Sequence, residues 1–387
     1  MSLTYQDTPD KVYYDVTISN LNTIDVKPPI LYFNETRNNA FVLDPESYYL
    51  SIVRFSLDTN TLPVIVPVIQ PNQGNVNLSI YSITLSWTNP IAPFQTFTSQ
   101  EFLDFIPQDS GTVVPSPPSQ NVNGLQNNGT DYYNIYNFQY WILLVNNTFT
   151  SAYNALNALV VGAGLVLPST YAPVMAWDTQ TSCASISAES PGYDDTTTGY
   201  IGIFFNASMF NLFSSFPVYI LGTSQTMGRN VRISTSNFGG TNLIPFPPPT
   251  YTSFACQIIQ EYSTISSWTP ITSIVFTSNT LPIVPNQISA PLLFYNGSIF
   301  NTGGNNSNIA QVITDFVAES YKPQIIYTPS AQYRLVNLVG NTPLYNLDIG
   351  VFYKDRVGVL VPFRLPSGGT ATIKILFTRK YTENGGR

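Results

Sequence analysis

The sequence predicts an all-β sandwich interrupted by a segment of α+β character, and three observations predict it. Short runs of alternating apolar and polar residues, bounded by Pro, Asn and Gly, recur through most of the 387 residues. One stretch, Asp131 to Leu221, breaks that rhythm with apolar residues at helical spacing. Charged residues make up only 10% of the chain, with 14% aromatics, against roughly 25% charge in an ordinary soluble protein. Disordered chains are charge-rich and aromatic-poor, so this composition describes a folded protein, with two domains expected for its length.

In chain order, Val12 to Ser19 alternates with Tyr14, Val16 and Ile18 on one side and Asp15, Thr17 and Ser19 on the other, a strand with one wet face. Tyr48 to Leu57 is apolar on both faces and reads as a central strand. Val76, Leu78 and Ile80 hand over to Tyr81, Ile83, Leu85 and Trp87, a one-residue change of phase that needs a bulge or bend. Thr88 to Thr130 is rich in Pro, Asn and Gln, including Asn127-Asn-Gly129, and reads as a long loop or the entry to a separate unit.

The interrupting stretch holds an aromatic run, Tyr132 to Trp141, then Asn147 as an N-cap and a short helix from Phe149 to Val160. Phe149, Ala152, Tyr153, Leu156, Leu159 and Val160 share one face, and Gly162 and Gly164 stop the helix. A strand at Tyr200 to Phe205 precedes a second short helix, Ala207 to Phe216, capped by Asn206 and closed by Pro217. Arg229 to Thr252 is again loop-like and includes the stiff Pro245-Phe-Pro-Pro-Pro249.

Alternation resumes near Ile271. Ile271 to Pro285 echoes Val53 to Pro67, sharing Asn-Thr-Leu-Pro and a following Val-Pro; a repeated strand-plus-corner unit and chance both account for it. Strands follow at Gln311 to Val317, Tyr333 to Val339, Tyr345 to Tyr353 and about Val357 to Val361, with turns at Lys354-Asp-Arg356 and Ser367-Gly-Gly369; Ile373, Ile375 and Phe377 close the chain. Roughly eight to ten strands flank the interruption, enough for a single eight-stranded jelly-roll sandwich. The expected division is residues 1–92 and 268–387 as the jelly roll, with 93–267 as an inserted α+β domain carrying one or two short helices.

The formal charge of −7 is uneven. Phe94 to Ser267 holds nine acids and two bases (Arg229 and Arg232), and the remainder holds 13 of each. The last stretch, Lys322 to Arg387, carries nine bases against Asp348, Asp355 and Glu383. A surface so poor in charge is expected to lie largely against other subunits.

Catalytic chemistry finds little to work with. The chain has no histidine, which removes Ser-His-Asp and Cys-His arrangements, HExxH zinc sites and imidazole bases. There is no Gly-Lys-Ser/Thr phosphate loop and no GxGxxG after a strand; Gly239-Gly240 and Gly303-Gly304 read as turns. Glu101 with Asp104, and Asp194-Asp195 near Glu189, are the acid groupings left for a glycosidase pair or a Ca²⁺ site, but neither has a known loop spacing. Cys183 and Cys256 read as two small buried thiols rather than a disulfide framework. The expected site set is therefore empty: no catalytic, cofactor-binding or metal-binding residues. The N-terminus lacks the basic and apolar regions of a signal peptide, and the apolar run Leu159 to Leu167 is too short to span a bilayer.

Several runs carry a family resemblance. Tyr132-Tyr-Asn-Ile-Tyr-Asn-Phe-Gln-Tyr-Trp141, Val145-Asn-Asn-Thr-Phe-Thr-Ser-Ala-Tyr153, Ala172-Pro-Val-Met-Ala-Trp-Asp178 and Ile203 to Phe213 resemble the minor capsid (penton) proteins of virophages and Polinton-type viruses. So do Tyr48 to Ser56 with Thr61-Leu-Pro63, Tyr333 to Leu338, Tyr345 to Gly358 and Ile373 to Lys380, the nearest likeness being to a Sputnik-like virophage penton. The resemblance implies a non-enzymatic jelly roll that forms homopentamers at icosahedral vertices, contacts the major capsid protein and resides in the virion after assembly in the cytoplasm of an infected cell. The charge distribution adds an expected orientation, with the acidic insert outward and the basic C-terminal third in weak contact with the genome. A carbohydrate-binding jelly-roll module is the competing expectation.

Overall fold

The computed structural model describes residues 9–21, 28–71, 73–109, 111–117, 126, 131–236, 244–245, 254–284, 292–295, 298–301, 311–317, 324–328, 334–356, 358 and 360–380. Asn127 to Gly129, Gly239-Gly240, Pro247 to Pro249, Gly303-Gly304, Lys322, Tyr333, Val357 and Arg387 lie outside these. The protein is mostly β-sheet with few helices. In chain order the elements are β1 (Lys11–Ser19), β2 (Tyr32–Thr36), β3 (Tyr48–Asp58), β4 (Leu78–Thr88), β5 (Thr96–Asp104), α1 (Phe138–Gly162), β6 (Val174–Asp178), β7 (Cys183–Ser190), β8 (Ile201–Phe205), α2 (Ala207–Leu212), β9 (Val218–Ile220), β10 (Val231–Ile233), β11 (Ile244–Pro245), β12 (Phe254–Ile259) and α3 (Ile265–Trp268). After them come β13 (Ile271–Ser278), β14 (Leu292–Tyr295), β15 (Ser298–Asn301), β16 (Gln311–Val317), β17 (Gln324–Tyr327), β18 (Val336–Asn337), β19 (Asn346–Asp355), β20 (Leu360–Pro362) and β21 (Thr370–Arg379).

Two compact units result, one built from Met1–Pro63 with Pro270–Arg387 and the other from Val64–Thr269. The expected boundary at residue 92 is thereby corrected to Pro63. The alternation of β4 predicts a place in the sandwich, but its partners are β5 and β8, with Ile83 opposite Phe205 and Leu85 opposite Ile203. A strand's own pattern shows which face is wet and says nothing about its neighbours.

The first unit packs two antiparallel sheets over one core. One runs β1-β21-β3-β17 with β18 against β3, and the other β16-β13-β19-β2 with β20 against β19. The alternation in β1 and β21 is as expected: Tyr14, Val16, Ile373, Ile375 and Phe377 are buried in this core. β3 departs from the expectation of two apolar faces. Its register against β21 shifts between Lys374 and Ile375, where Ile375 faces Ile52 and Lys374 faces Arg54. The bulge at Val53 changes the phase, so Leu50 and Ile52 before it and Phe55 and Leu57 after it all enter the same core. Between the sheets, Phe55 meets Phe276 at 5.1 Å and Phe316 at 4.9 Å between ring centroids. At one side Tyr327 lies 4.2 Å from Phe316. At the other, the Tyr14 hydroxyl donates to Glu35 and Arg37 Nε donates to Tyr14 Oη at 3.2 Å.

The second unit sets α1 against the sheet β5-β4-β8-β10-β9, and a further sheet, β11-β12-β7-β6, contributes to the same core. The expected change of phase in β4 is present as a register shift between Leu78 and Ser82 against β5. α1 begins well before the expected N-cap Asn147. Asn137 is extended and its side chain accepts from Tyr140 N–H, which starts the helix at Phe138. Trp141, Val145, Thr148, Phe149, Ala152, Leu156 and Val160 then form one buried stripe, and Leu159, expected on it, is exposed. Asn146 is tolerated mid-helix because its side chain pairs with Met175 as a backbone group would, donating to Met175 O at 2.9 Å and accepting from Met175 N–H at 2.7 Å. α2 starts where expected, with Asn206 accepting from Met209 N–H at 2.9 Å, and ends at Leu212.

Phe149 is fully buried with its ring 6.3 Å from Phe205. Phe149→Ala is expected to destabilise the protein by about 3–5 kcal/mol through lost burial and the cavity left behind. Leu143→Ala, on the exposed side of the same helix, is expected to change stability by less than about 0.5 kcal/mol. Urea unfolding followed by tryptophan fluorescence measures both.

Candidate functional site

The acid groupings do not converge. Glu101 and Asp104 lie three residues apart on β5, so their side chains project to opposite faces of the strand. Glu189 accepts from Ser169 Oγ and from Thr170 N–H at 3.1 Å, while Asp194 accepts from Thr196 N–H at 3.0 Å and Thr196 Oγ1 at 2.7 Å. Glu189 thus holds the Ser169–Thr170 segment, and Asp194 shapes its own turn. Among the described residues no group of three His, Cys, Asp or Glu side chains is placed to hold a metal ion. Cys183 and Cys256 are both free and buried. Cys256 lies opposite Ala188, near the far end of the strand that Cys183 begins, so the register keeps them apart. Burial raises the Cys256 thiol above its ordinary pKa, leaving it in the unreactive protonated form.

A built polar site lies elsewhere, at Asp348 on β19. This carboxylate is fully buried. It accepts from Ser278 Oγ, from Asn279 N–H at 2.9 Å, from Thr280 N–H at 3.0 Å, from Thr280 Oγ1 at 2.6 Å and from Tyr32 Oη at 3.0 Å. Burial by itself pushes its pKa up, but these hydrogen bonds outweigh burial and hold it below the ordinary carboxylate value. The site clamps the turn after β13 to β19 and to Tyr32 at the start of β2. The turn belongs to the second Asn-Thr-Leu-Pro; in the first, Asn60 N–H bonds to Asp58 Oδ1 at 3.0 Å. Both turns deliver a leucine, Leu62 and Leu281, into the same core. The echoing segments thus occupy matching corners, one carboxylate coming from its own strand and the other from a neighbour. The arrangement is architectural: it saturates one anion with donors and leaves no reactive group open.

What remains to act is the surface. Large apolar side chains stand exposed on both units: Tyr13, Val317 and Ile326 on the first, and Phe94, Val166 and Ile220 on the second. Several lie on strands that are outermost among the described residues. Val317 ends β16 and Ile326 lies in β17, outer strands of the two sheets of the first unit, and Ile220 ends β9, an outer strand in the second. Unpaired edges bearing apolar residues invite further strands or subunits, and monomeric proteins usually blunt them with charge. Here the second unit has nine acids and two bases among 206 residues, and one of the bases is engaged by aromatic rings: Arg232 Nη1 donates to Tyr200 Oη at 2.8 Å and the guanidinium stacks 4.4 Å over the Tyr219 ring. The sequence foreshadowed this surface only as a shortage of charge, and gave no sign of the Asp348 clamp.

Comparison with known proteins matches this description. The family model described as "Sputnik minor capsid protein V18/19" matches residues 12–379. Among curated proteins, the chain is 30% identical over 211 residues to "Structural protein V19" of Sputnik virophage, covering 53% of this chain and 93% of that protein. It is 33% identical over 154 residues to "Uncharacterized protein V18" of Sputnik virophage, covering 39% of this chain and 87% of that protein. Among solved structures, a chain of the Sputnik virophage cryo-EM structure aligns over 97% of this chain and 100% of its own length, with TM-score 0.77 and 28% identity. The mavirus penton protein aligns over 96% of this chain and 100% of its own, with TM-score 0.61 and 14% identity, a likeness of fold.

The Asp348 clamp carries a prediction. A carboxylate whose folded pKa lies below its unfolded value adds stability above the unfolded pKa, about 3.9, and that stability is lost as pH falls through the folded pKa. Asp348→Asn is expected to cost on the order of 2–4 kcal/mol at pH 7, since an amide cannot accept from five donors. The gap between wild type and variant should narrow below about pH 4. Chemical unfolding of both proteins from pH 7 to pH 3 checks the size and the sign.

Proposed function

We propose a function from the premise that this chain belongs to the Sputnik minor capsid protein V18/19 family. It is a structural protein of the virion, a minor capsid subunit of the penton kind. The single observation that carries this is the match of the minor capsid family model over residues 12–379. The chemistry points the same way, because the described polar clusters are used to hold turns and edges.

The finer reading is that the first unit is an eight-stranded jelly roll. Its two main sheet paths have four strands each. Taken in chain order as β1, β2, β3, β13, β16, β17, β19 and β21, one sheet reads first-eighth-third-sixth and the other second-seventh-fourth-fifth. That order supports two Greek keys wound into one sandwich. The second unit is then a domain inserted between the third and fourth strands of the roll. We propose further that subunits join as homopentamers at capsid vertices and abut the major capsid protein, using the open edges and exposed apolar residues as contacts. Assembly in the cytoplasm of an infected cell, and weak genome contact through the basic C-terminal third, complete the proposal. The relatives named for a structural role support a non-enzymatic protein and do not favour the carbohydrate-binding alternative.

Light scattering of the purified protein tests the assembly state. The expected particle mass is five times the 42.8 kDa of the chain, and a monomer that also fails to enter capsids in a co-expression assay would refute the proposal. Ile220→Lys and Ile326→Lys, both at exposed positions, measure which edge contributes: the edge that carries the contact should lose mass without loss of circular dichroism signal.

A further inference from the structure

The sheet β5-β4-β8-β10-β9 has a second face, turned away from the core. Ile83, Leu85, Ile203, Phe205 and Ile233 point into the core of the second unit, so the residues alternating with them point outward. Gln100, Thr84, Phe204, Arg232 and Tyr219 are successive partners in one outward row that crosses all five strands. The turn Thr226–Gly228 closes the row at Thr84, whose Oγ1 donates to Met227 O at 2.6 Å. From Phe204 to Tyr219 the row is at least partly exposed.

Flat surfaces line the open part. A Cβ on Gly202 would meet Phe204 Cε2 at 2.8 Å, so the missing side chain is what lets the Phe204 ring lie along its own strand. Across the row, the Arg232 guanidinium lies 4.4 Å from the centre of the Tyr219 ring, which is 42% exposed. Hydroxyls flank these planes. Ser86 Oγ and Thr98 Oγ1 are 3.0 Å apart beside Gly202, and Thr88 Oγ1 and Thr96 Oγ1, also 3.0 Å apart, form an exposed pair next to them. The exposed pair uses one of its two hydrogens and keeps the other to donate, with acceptor capacity to spare. Arg232 gives one of its five donors to Tyr200 Oη at 2.8 Å, and burial raises that phenol above its ordinary pKa, with the charges of Arg232 and Asp195 both bearing on it. Arg232 Nε and Asp195 Oδ2 are buried without a hydrogen-bond partner among the described residues. Such atoms are nearly always satisfied, and a hydroxyl, which gives and takes a hydrogen bond, suits both.

We propose that this face binds a neutral polysaccharide chain. The C–H face of a pyranose ring packs flat on aromatic and guanidinium planes, while its hydroxyls reach the threonine, arginine and carboxylate groups at the edges. Charge selects against the other polymers that stack on aromatic rings: single-stranded nucleic acid needs a positively charged groove, and this unit has nine acids and two bases. The same excess of acid disfavours anionic glycans. The hydroxyl rows select against a protein partner, since the cores of protein interfaces are depleted in serine and in charge. The face belongs to the second unit rather than to the roll, and it adds an attachment surface to a structural subunit without replacing that role. It does not depend on the vertex arrangement.

Native-gel affinity electrophoresis of the full-length protein tests it, with hydroxyethylcellulose, galactomannan or glycogen cast in the gel and dextran sulfate as the anionic comparison. Wild type is expected to be retarded by at least one of the neutral polymers and not by dextran sulfate. Tyr219→Ala is expected to weaken binding at least about five-fold through the lost stacking plane. Arg232→Lys, which keeps the charge and loses the planar fork, should weaken it comparably. Thr96→Val, the mildest change, keeps the test available if either variant misfolds, and should bind measurably less. Tyr262→Ala, at a 60% exposed tyrosine outside the row, should run as wild type does. Wild type unretarded by all three neutral polymers, or retarded by dextran sulfate as strongly, overturns the proposal, as do folded variants retarded as much as wild type. Tyr219→Ala with reduced particle mass in light scattering and undiminished retardation also overturns it, by making the face a contact between copies. A monomeric wild type that is still retarded supports it while refuting the pentamer.

Discussion

The first unit depends on one strand coming late. β21 lies between β1 and β3, paired residue for residue from Lys11 to Ser19 on one side and, across the bulge at Val53, from Tyr48 to Leu57 on the other. Without it the sheet is open in the middle, and Ile373, Ile375 and Phe377 are missing from between Tyr14 and Val16 and the inward residues of β3. The first and last strands of the sandwich are therefore neighbours, and the sheet cannot close until the chain's end is available. Such long-range pairing sets a slow folding step, because loop closure precedes the contacts that reward it. It also explains why the long excursion from Val64 to Thr269 is tolerated: closure entropy grows only slowly with loop length, and that excursion has its own core.

Charge is sparse, and most of it is tied up in local pairs; among the described residues the buried charges are Asp348 and Asp355. Asp348 is surrounded by five donors, Glu35 is engaged by Tyr14 and Arg37, and Arg334 bonds Asp315 at 2.7 Å while lying 5.4 Å from the Phe316 ring centroid. These groups fix corners and the sides of the sandwich. Outside, open strand edges and scattered large apolar residues stand where a monomer would carry Lys and Glu. A capsid subunit needs this distribution, since its outer surfaces are contacts in waiting and its corners must hold their shape while those contacts form.

How far the sequence could be read depended on whether a residue's environment was local. β1 and β21 were legible because one wetter side imposes alternation, and the change of phase in β4 announced its bulge. In β3 the same signal was ambiguous: two apolar sets one residue out of step describe either two buried faces or one face with a bulge, and only pairing with β21 decides. The start of α1 was hidden for a tertiary reason. Asn147 reads as a cap, yet the helix runs through it, and its neighbour Asn146 is held mid-helix by Met175. The boundary at Pro63 was illegible because β4's neighbours follow it in the chain. Asp348 was invisible as a site, its donors lying from 68 to 316 residues away. The family runs, spread from Tyr48 to Lys380, conveyed the role that no single motif could.

We propose that five copies of this penton-kind subunit join about an axis. Class averages of the purified full-length protein in negative stain test it most directly. Closed rings with five-fold symmetry are the predicted result. Isolated single particles, or closed assemblies of another symmetry, would contradict it.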